Sequence, residues 1–150
     1  MNKYSEILKL LQRLSDKEIE LLIRNKEQYK HNLEVSNIEN FLKELCVNPF
    51  LLGFNYLKEA IEICLNNQNM LNCITTYLYP TIAENNNTTP SRVERAIRHA
   101  IETSWDKVDG EIYYNVFFNE MDKPTNSKYI AYVCSYINNL ETLHIQKQKS

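Results

Sequence analysis

The chain has 150 residues, a formal net charge of −2, two glycines, four prolines and four cysteines. That length suits a single domain able to bury a real core, and so few glycines and prolines argue for helices over a turn-rich sheet fold. No run of about 18 apolar residues occurs and Met1-Asn2-Lys3 leads into no secretory core, so neither a membrane span nor a signal peptide is expected and a cytoplasmic setting is.

The periodicity predicts helices throughout, in chain order. Residues near Tyr4 to Leu14 form a short amphipathic helix. Ser15-Asp16-Lys17-Glu18 is a capping-box pattern that opens a second helix towards Tyr29, and Ser36-Asn37-Ile38-Glu39 repeats it to open a third through Phe41, Leu42 and Leu45. The N-terminal apolar stripe (Ile7, Leu10, Leu11, Leu14, Ile19, Leu22, Ile23) must be buried. Packing on the domain itself is preferred over self-association. Pro49 to Leu65 carries Leu52, Tyr56, Ala60, Ile63 and Cys64 on a broad apolar face, and Met70 to Asn85 is helical around Pro80, where a kink or a restart is expected. Beyond the segment near residue 100, Gly110 to Phe118 is a short aromatic helix, Lys123-Pro124 a break, and Ser127 to about His144 the closing helix. No strand pattern competes, and the fold class is all-α. Cys46, Cys64, Cys73 and Cys134 form no C-x-x-C pair and are read as reduced packing residues. The ten tyrosines sit mostly at helical spacing beside aliphatics, which suits core and rim packing.

The segment richest in meaning is Thr88-Thr89-Pro90-Ser91-Arg92-Val93-Glu94-Arg95-Ala96-Ile97-Arg98-His99-Ala100-Ile101-Glu102. Thr89 suits the N-cap and Pro90 the first helical position, where a missing N–H removes nothing. At about 100° per residue, Val93, Ile97, Ala100, Ile101 and Ser104 share one side. Ser91, Arg95, Arg98, His99 and Glu102 lie opposite, with Arg92 and Glu94 on the shoulders. Two readings compete. One is a solvated face laced by Glu94–Arg98 and Arg98–Glu102 pairs at i,i+4 spacing. The other is a DNA-reading helix, because the polar break 83–89 ahead of it gives the outline of a helix-turn-helix. The break lacks the glycine often found in such turns, and many helical hairpins bind no DNA.

Residues 91–102 resemble the recognition helix of the C-terminal DNA-binding effector domain of the sporulation master response regulator family. Three other segments agree in order and spacing. Residues 53–61 are similar to that family's second helix, residues 78–83 and 87–89 to its helix-turn-helix entry, and residues 123–131 to the start of its last helix. The likeness runs from about Asn37 to about Leu143. It implies an N-terminal helical extension at 1–35 followed by a helix-turn-helix DNA-binding domain at 36–150, acting on double-stranded DNA. The family's phosphoacceptor receiver is not represented: residues 1–35 have helical rather than βαβ periodicity, and no aspartate is assignable as a phosphorylation site.

With the resemblance as guide, Arg95 and Arg98 are the base-reading arginines, donating to guanine O6 and N7, and Glu94 accepts from cytosine N4. Glu94 as a simple partner of Arg98 remains the alternative. Ser91, Arg92 and His99 are placed for phosphate or flanking contacts. Thr88 and Thr89 offer hydroxyls or backbone N–H groups to phosphate. The resemblance implies a GC-containing operator box like the family's. A homodimer, the RNA polymerase sigma subunit and a full-length regulator are further partners it admits, though the aromatic segment 110–118 fits core packing better than a polymerase contact. The electrostatics pull the other way. Between Ala83 and Trp105 three arginines are offset by Glu84, Glu94 and Glu102, so backbone affinity is expected to be weak.

No catalytic residue, metal ligand set or cofactor is expected: His31, His99 and His144 lie far apart without a nucleophile, and no Gly-rich phosphate loop is present. The preferred reading is a sequence-specific DNA-binding transcription regulator, not an enzyme. The alternative is a protein-interaction module that binds or antagonises a full-length regulator and has little DNA binding of its own.

Overall fold

The computed structural model describes residues 3–118 and 120–149, and the side chains of these except at 4, 10, 11, 26–36 and 141–149. Every regular element among the described residues is helical. The chain divides into two compact units, Met1–Asn37 and Ile38–Ser150.

The first unit holds α1 (Lys3–Gln12) and the larger part of α2 (Asp16–Glu44). Between them the capping box forms reciprocally. The Ser15 N–H donates to Glu18 Oε2 at 3.1 Å and the Glu18 N–H donates to Ser15 Oγ at 3.3 Å, satisfying two N–H groups that a helix start leaves open. The second capping-box pattern starts no helix, because α2 runs through Ser36. Neither Gly nor Pro occurs between Asp16 and Glu44, so nothing forces the break, and an i→i−4 ladder once begun is cheaper to extend than to renucleate. The side chains of Ser36, Leu10 and Leu11 lie outside the described residues. The expected burial of the N-terminal stripe is not met within this unit: Ile7, Leu22 and Ile23 are 51, 51 and 54% exposed.

Two hydrogen bonds stop α2, Val47 N–H to the Leu42 carbonyl at 3.0 Å and Cys46 N–H to the Lys43 carbonyl at 2.9 Å. With Cys46 at φ 64°, this is a Schellman end in which cysteine occupies the left-handed place that glycine usually takes. The Cys46 thiol points to the Lys107 carbonyl, 3.3 Å away.

The second unit packs the end of α2 with α3 (Leu52–Asn66), α4 (Tyr79–Asn85), α5 (Pro90–Trp105), α6 (Gly110–Phe117) and α7 (Asn126–Lys149). Its core joins Leu42, Leu45, Leu57, Ile61, Leu78, Ile82, Ile97, Ile101, Phe117, Tyr129 and Ile130, all buried. Each such aliphatic or aromatic side chain contributes about 1.5–3 kcal/mol by leaving water, against the ordering entropy of the chain. Helix α3 begins three residues later than expected. Pro49 belongs to a turn in which Asn48 Oδ1 accepts from Phe50 N–H at 3.0 Å and the Asn48 carbonyl accepts from Leu51 N–H at 3.2 Å. Its buried face is Gly53, Phe54, Tyr56, Leu57, Ala60, Ile61 and Cys64. Leu52, expected inside, is exposed, and Ile63 is only half-buried.

The helix passes Pro80 without a break, since Leu78 and Tyr79 stay helical and the Tyr79 N–H donates to the Ile74 carbonyl. A 3-10 turn (Gln68–Asn72) and a π-helical turn (Ile74–Leu78) precede α4, which has Pro80 in its first turn. Proline cannot donate to a carbonyl one turn back and its ring crowds that carbonyl. The wider π spacing, with Leu78 N–H on the Cys73 carbonyl at 3.1 Å, makes room ahead of it. The aromatic segment packs inward in part: Phe117 is buried and lies 5.1 Å from both Trp105 and Tyr129, ring centre to ring centre, whereas Tyr114 and Phe118 are exposed. Tyr129 is buried too, and its hydroxyl makes no hydrogen bond of ordinary geometry among the described residues. Neighbouring Ser104 turns its own hydroxyl to the Ile101 carbonyl at 2.9 Å instead. Cys64 and Cys134 are buried neighbours. The hydrogen bond to Cys64 and burial hold the Cys134 thiol far above its ordinary range.

Candidate nucleic-acid interface

Helix α5 begins as its sequence dictates. Thr89 is extended at φ −113°, ψ 152°, and its hydroxyl oxygen accepts from Arg92 N–H at 3.3 Å. Pro90 stands in the first turn. Val93, Ile97, Ala100, Ile101 and Ser104 are all buried, the five positions that the wheel places together. Ser91, Arg92, Arg95, Arg98, His99 and Glu102 are exposed, and Glu94 is half-buried. Apart from Glu94, the polar face is therefore presented to solvent.

The turn ahead of α5 supplies without glycine what a tight helix-to-helix turn needs. Asn87 has φ 52°, the Thr88 N–H donates to the Ala83 carbonyl at 2.9 Å, and the Asn87 N–H reaches the Glu84 carbonyl at 3.4 Å. This is again a Schellman end, with asparagine, the next most tolerant residue, in the left-handed place. Glu59 on α3 holds the turn from below. Its two carboxylate oxygens accept from Asn85 Nδ2 at 2.7 Å and Asn86 Nδ2 at 2.8 Å. Thr88 is half-buried and its N–H is taken. Thr89 is exposed, and its hydroxyl, already accepting as the cap, still has a proton to donate.

Close approach seats α5 on the body. A Cβ added at Gly53 of α3 would stand 2.0 Å from the Ala96 carbonyl oxygen and 2.7 Å from Ala100 Cβ. Only glycine lets the two backbones meet there. On the far side, Asn126 Nδ2 donates to the Tyr79 hydroxyl and to the Glu94 carbonyl, each at 3.1 Å. Burial pushes the Tyr79 hydroxyl above its ordinary range, with the Asn126 hydrogen bond acting against it.

The charges are arranged differently from their order in sequence. Of the two spaced pairs, Glu94–Arg98 forms, at 3.3 Å. It is exposed and worth less than about 1 kcal/mol. Glu102 instead meets Lys123 at 2.7 Å, and the hydrogen bond from Lys123 holds its carboxyl below the ordinary carboxylate range. Over residues 88–99 three arginines then face one glutamate, and Arg92 and Arg95 make no ion pair among the described residues. The acid that offsets this face at its C-terminal end carries its own lysine.

Of these neighbours, Lys123, Asn126, Gly53 and Asn87 act on α5 from outside the helix wheel. Lys123 and Asn126 reach it from 21 and 32 residues away along the chain, which no local periodicity can reveal. Asn87 was legible: an asparagine closing a helix is a known left-handed cap. Residues 38–137 match the model of the family described as Sporulation initiation factor Spo0A C terminal.

Proposed function

The chain belongs to the Spo0A C-terminal family of DNA-binding effector domains, and from that premise we propose that it is a sequence-specific transcription regulator reading duplex DNA through α5. In this reading α4, the Asn87 turn and α5 are a helix-turn-helix, with α5 in the major groove and its early residues at the bases. Arg95 and Arg98 donate to guanine edges, and Glu94 alternates between Arg98 and a cytosine amine. Ser91, Arg92, His99, Thr88 and Thr89 lie along the phosphates. The observation that carries the reading is the fully presented arginine face of α5 on a helix whose opposite side is wholly buried. Residues 1–35 form an extension and 36–150 the DNA-binding domain. Catalysis has no part in the proposal, and no helix among the described residues is long and apolar enough to cross a membrane.

A gel shift with the family's operator duplex tests the assignment. Arg95→Ala and Arg98→Ala should each weaken binding by about 1–3 kcal/mol, roughly 5- to 150-fold, with an unchanged helical circular dichroism spectrum. Undiminished binding would remove those side chains from the interface. A second reading rests on the exposure of Ile7, Leu22 and Ile23, an apolar surface suited to a second copy or a full-length regulator. Sedimentation of the wild type and a Leu22→Glu, Ile23→Glu variant separates the two: a dimer lost in the variant supports that contact, and a monomer in both removes it.

A further inference from the structure

Asn126 opens α7 and is half-buried where α4, α5 and α7 meet. Its own place is fixed by the first turn of α7, in which Thr125 Oγ1 accepts from Lys128 N–H at 3.3 Å and the Thr125 carbonyl accepts from Tyr129 N–H at 2.9 Å. From there the amide reaches the Tyr79 hydroxyl of α4 and the Glu94 carbonyl of α5, both at 3.1 Å. A carbonyl oxygen has no proton to give, so the NH2 side of the amide is the side that faces Glu94. One side chain thus ties together the two helices on either side of the Asn87 turn. The Glu94 carbonyl lies beside Arg95 in sequence, one turn before Arg98.

The rest of the seat is mainly apolar. Gly53 meets Ala96 and Ala100, Val93, Ile97 and Ile101 are buried, and Trp105 packs on Tyr113 and Phe117. A second polar tie, Lys123 to Glu102, is an exposed ion pair towards the far end of the helix. Apolar burial is non-directional, so it holds a helix against a surface more firmly than it sets the rotation about the helix axis. Hydrogen bonds are directional. A roll of ~10° carries a point at the edge of a helix, ~5–6 Å from its axis, about 1 Å sideways, which is more than a paired guanine contact tolerates.

We propose that Asn126 is a positioning residue for base readout: through Tyr79 and the Glu94 carbonyl it sets the roll of α5, so that Arg95 and Arg98 meet base edges in register. The inference rests on the DNA-binding reading above. Asn126→Asp keeps the shape but turns a carboxylate oxygen on the Glu94 carbonyl, and Tyr79→Phe removes one of the two acceptors while keeping the ring. Fluorescence anisotropy is measured for each full-length variant against the operator duplex and a scrambled duplex of equal length, beside thermal melts. Asn126→Asp should lose about tenfold or more on the operator, the scale of one misaligned base contact, with the scrambled-duplex affinity and its salt slope unchanged. Tyr79→Phe should lose less, in the same selective way. Equal losses on both duplexes that follow a lowered melting temperature would mean the amide only holds the fold, and no loss on either would mean it sets nothing. Both results overturn the proposal. Failure of the wild type to prefer the operator would be a failure of the DNA-binding reading instead. The roll of α5 against α3, from residual dipolar couplings of the Asn126→Asp chain, then decides: a changed angle supports the positioning role and an unchanged one ends it.

Discussion

Helix α5 and the helices of the first unit begin alike and finish differently. Both have a side-chain cap, Thr89 for α5 and the Ser15–Glu18 box for α2, and both carry an apolar stripe at helical spacing. In α5 that stripe is sealed, with Val93, Ile97, Ala100 and Ile101 at 0% exposure. In the first unit Ile7, Leu22 and Ile23 stand about half open. Capping and periodicity therefore decide that a helix forms and which side is apolar. What covers that side is decided by neighbours distant in sequence. For α5 these include Gly53, whose missing side chain admits the helix backbone, and the buried aromatics of α6 and α7.

The sharpest way to break this comparison is to truncate both stripes. Ile97→Ala should cost about 2–5 kcal/mol by transfer loss and cavity formation, whereas Leu22→Ala should stay within about 0.5 kcal/mol in a monomer. Urea unfolding of the two variants reads the difference, and similar losses would show that the first unit is covered after all. Next in size is Gly53→Ala. The new methyl meets backbone rather than a yielding side chain, so α5 must shift and stability should fall by about 1–3 kcal/mol. Smaller effects belong to the ends of the helix. Thr89→Ala should cost about 1 kcal/mol through the lost cap. Asn87→Ala should cost about 1–2 kcal/mol through the left-handed backbone at that position, and Asn87→Gly should cost nothing. Thermal melts rank all three, and an Asn87→Gly variant weaker than Asn87→Ala would refute the turn as described. Least of all, Tyr129→Phe removes a buried hydroxyl that makes no hydrogen bond of ordinary geometry among the described residues. It should change stability by less than about 1 kcal/mol, on the stabilising side, although it lies in the same core as Ile97.

How much of this was legible depends on the range of the interaction. The cap at Thr89, the five buried positions of α5, the Ser15 box and the all-α class follow from contacts within one or two helical turns, and the sequence shows them. The expected helix start at Ser36 failed because a capping pattern is only permissive: without a Pro or Gly the ladder of α2 continues. Pro80 announced an irregularity but not its form, a π turn that keeps the helix continuous. The candidate interface was legible in its exposed residues and in its family likeness, confirmed over residues 38–137. Its electrostatics were not. Counting charges along 83–105 set Glu102 against the arginines, whereas the fold brings Lys123 to that carboxylate. The Asn126 link was hidden for the same reason, because its partners at Tyr79 and Glu94 lie 47 and 32 residues away.

The central claim is that α5 reads bases while its flanks follow phosphates, and salt dependence tests it most directly. Anisotropy titrations of the full chain at about 50 and 200 mM salt, on operator and scrambled duplexes, give both affinities and their slopes. The account predicts that binding to both duplexes weakens with salt, that the operator is preferred at each concentration, and that Arg95→Ala removes much of the preference while leaving the slope on scrambled DNA intact. Absence of operator binding even at the lower salt, or a preference that survives Arg95→Ala and Arg98→Ala together, would contradict it.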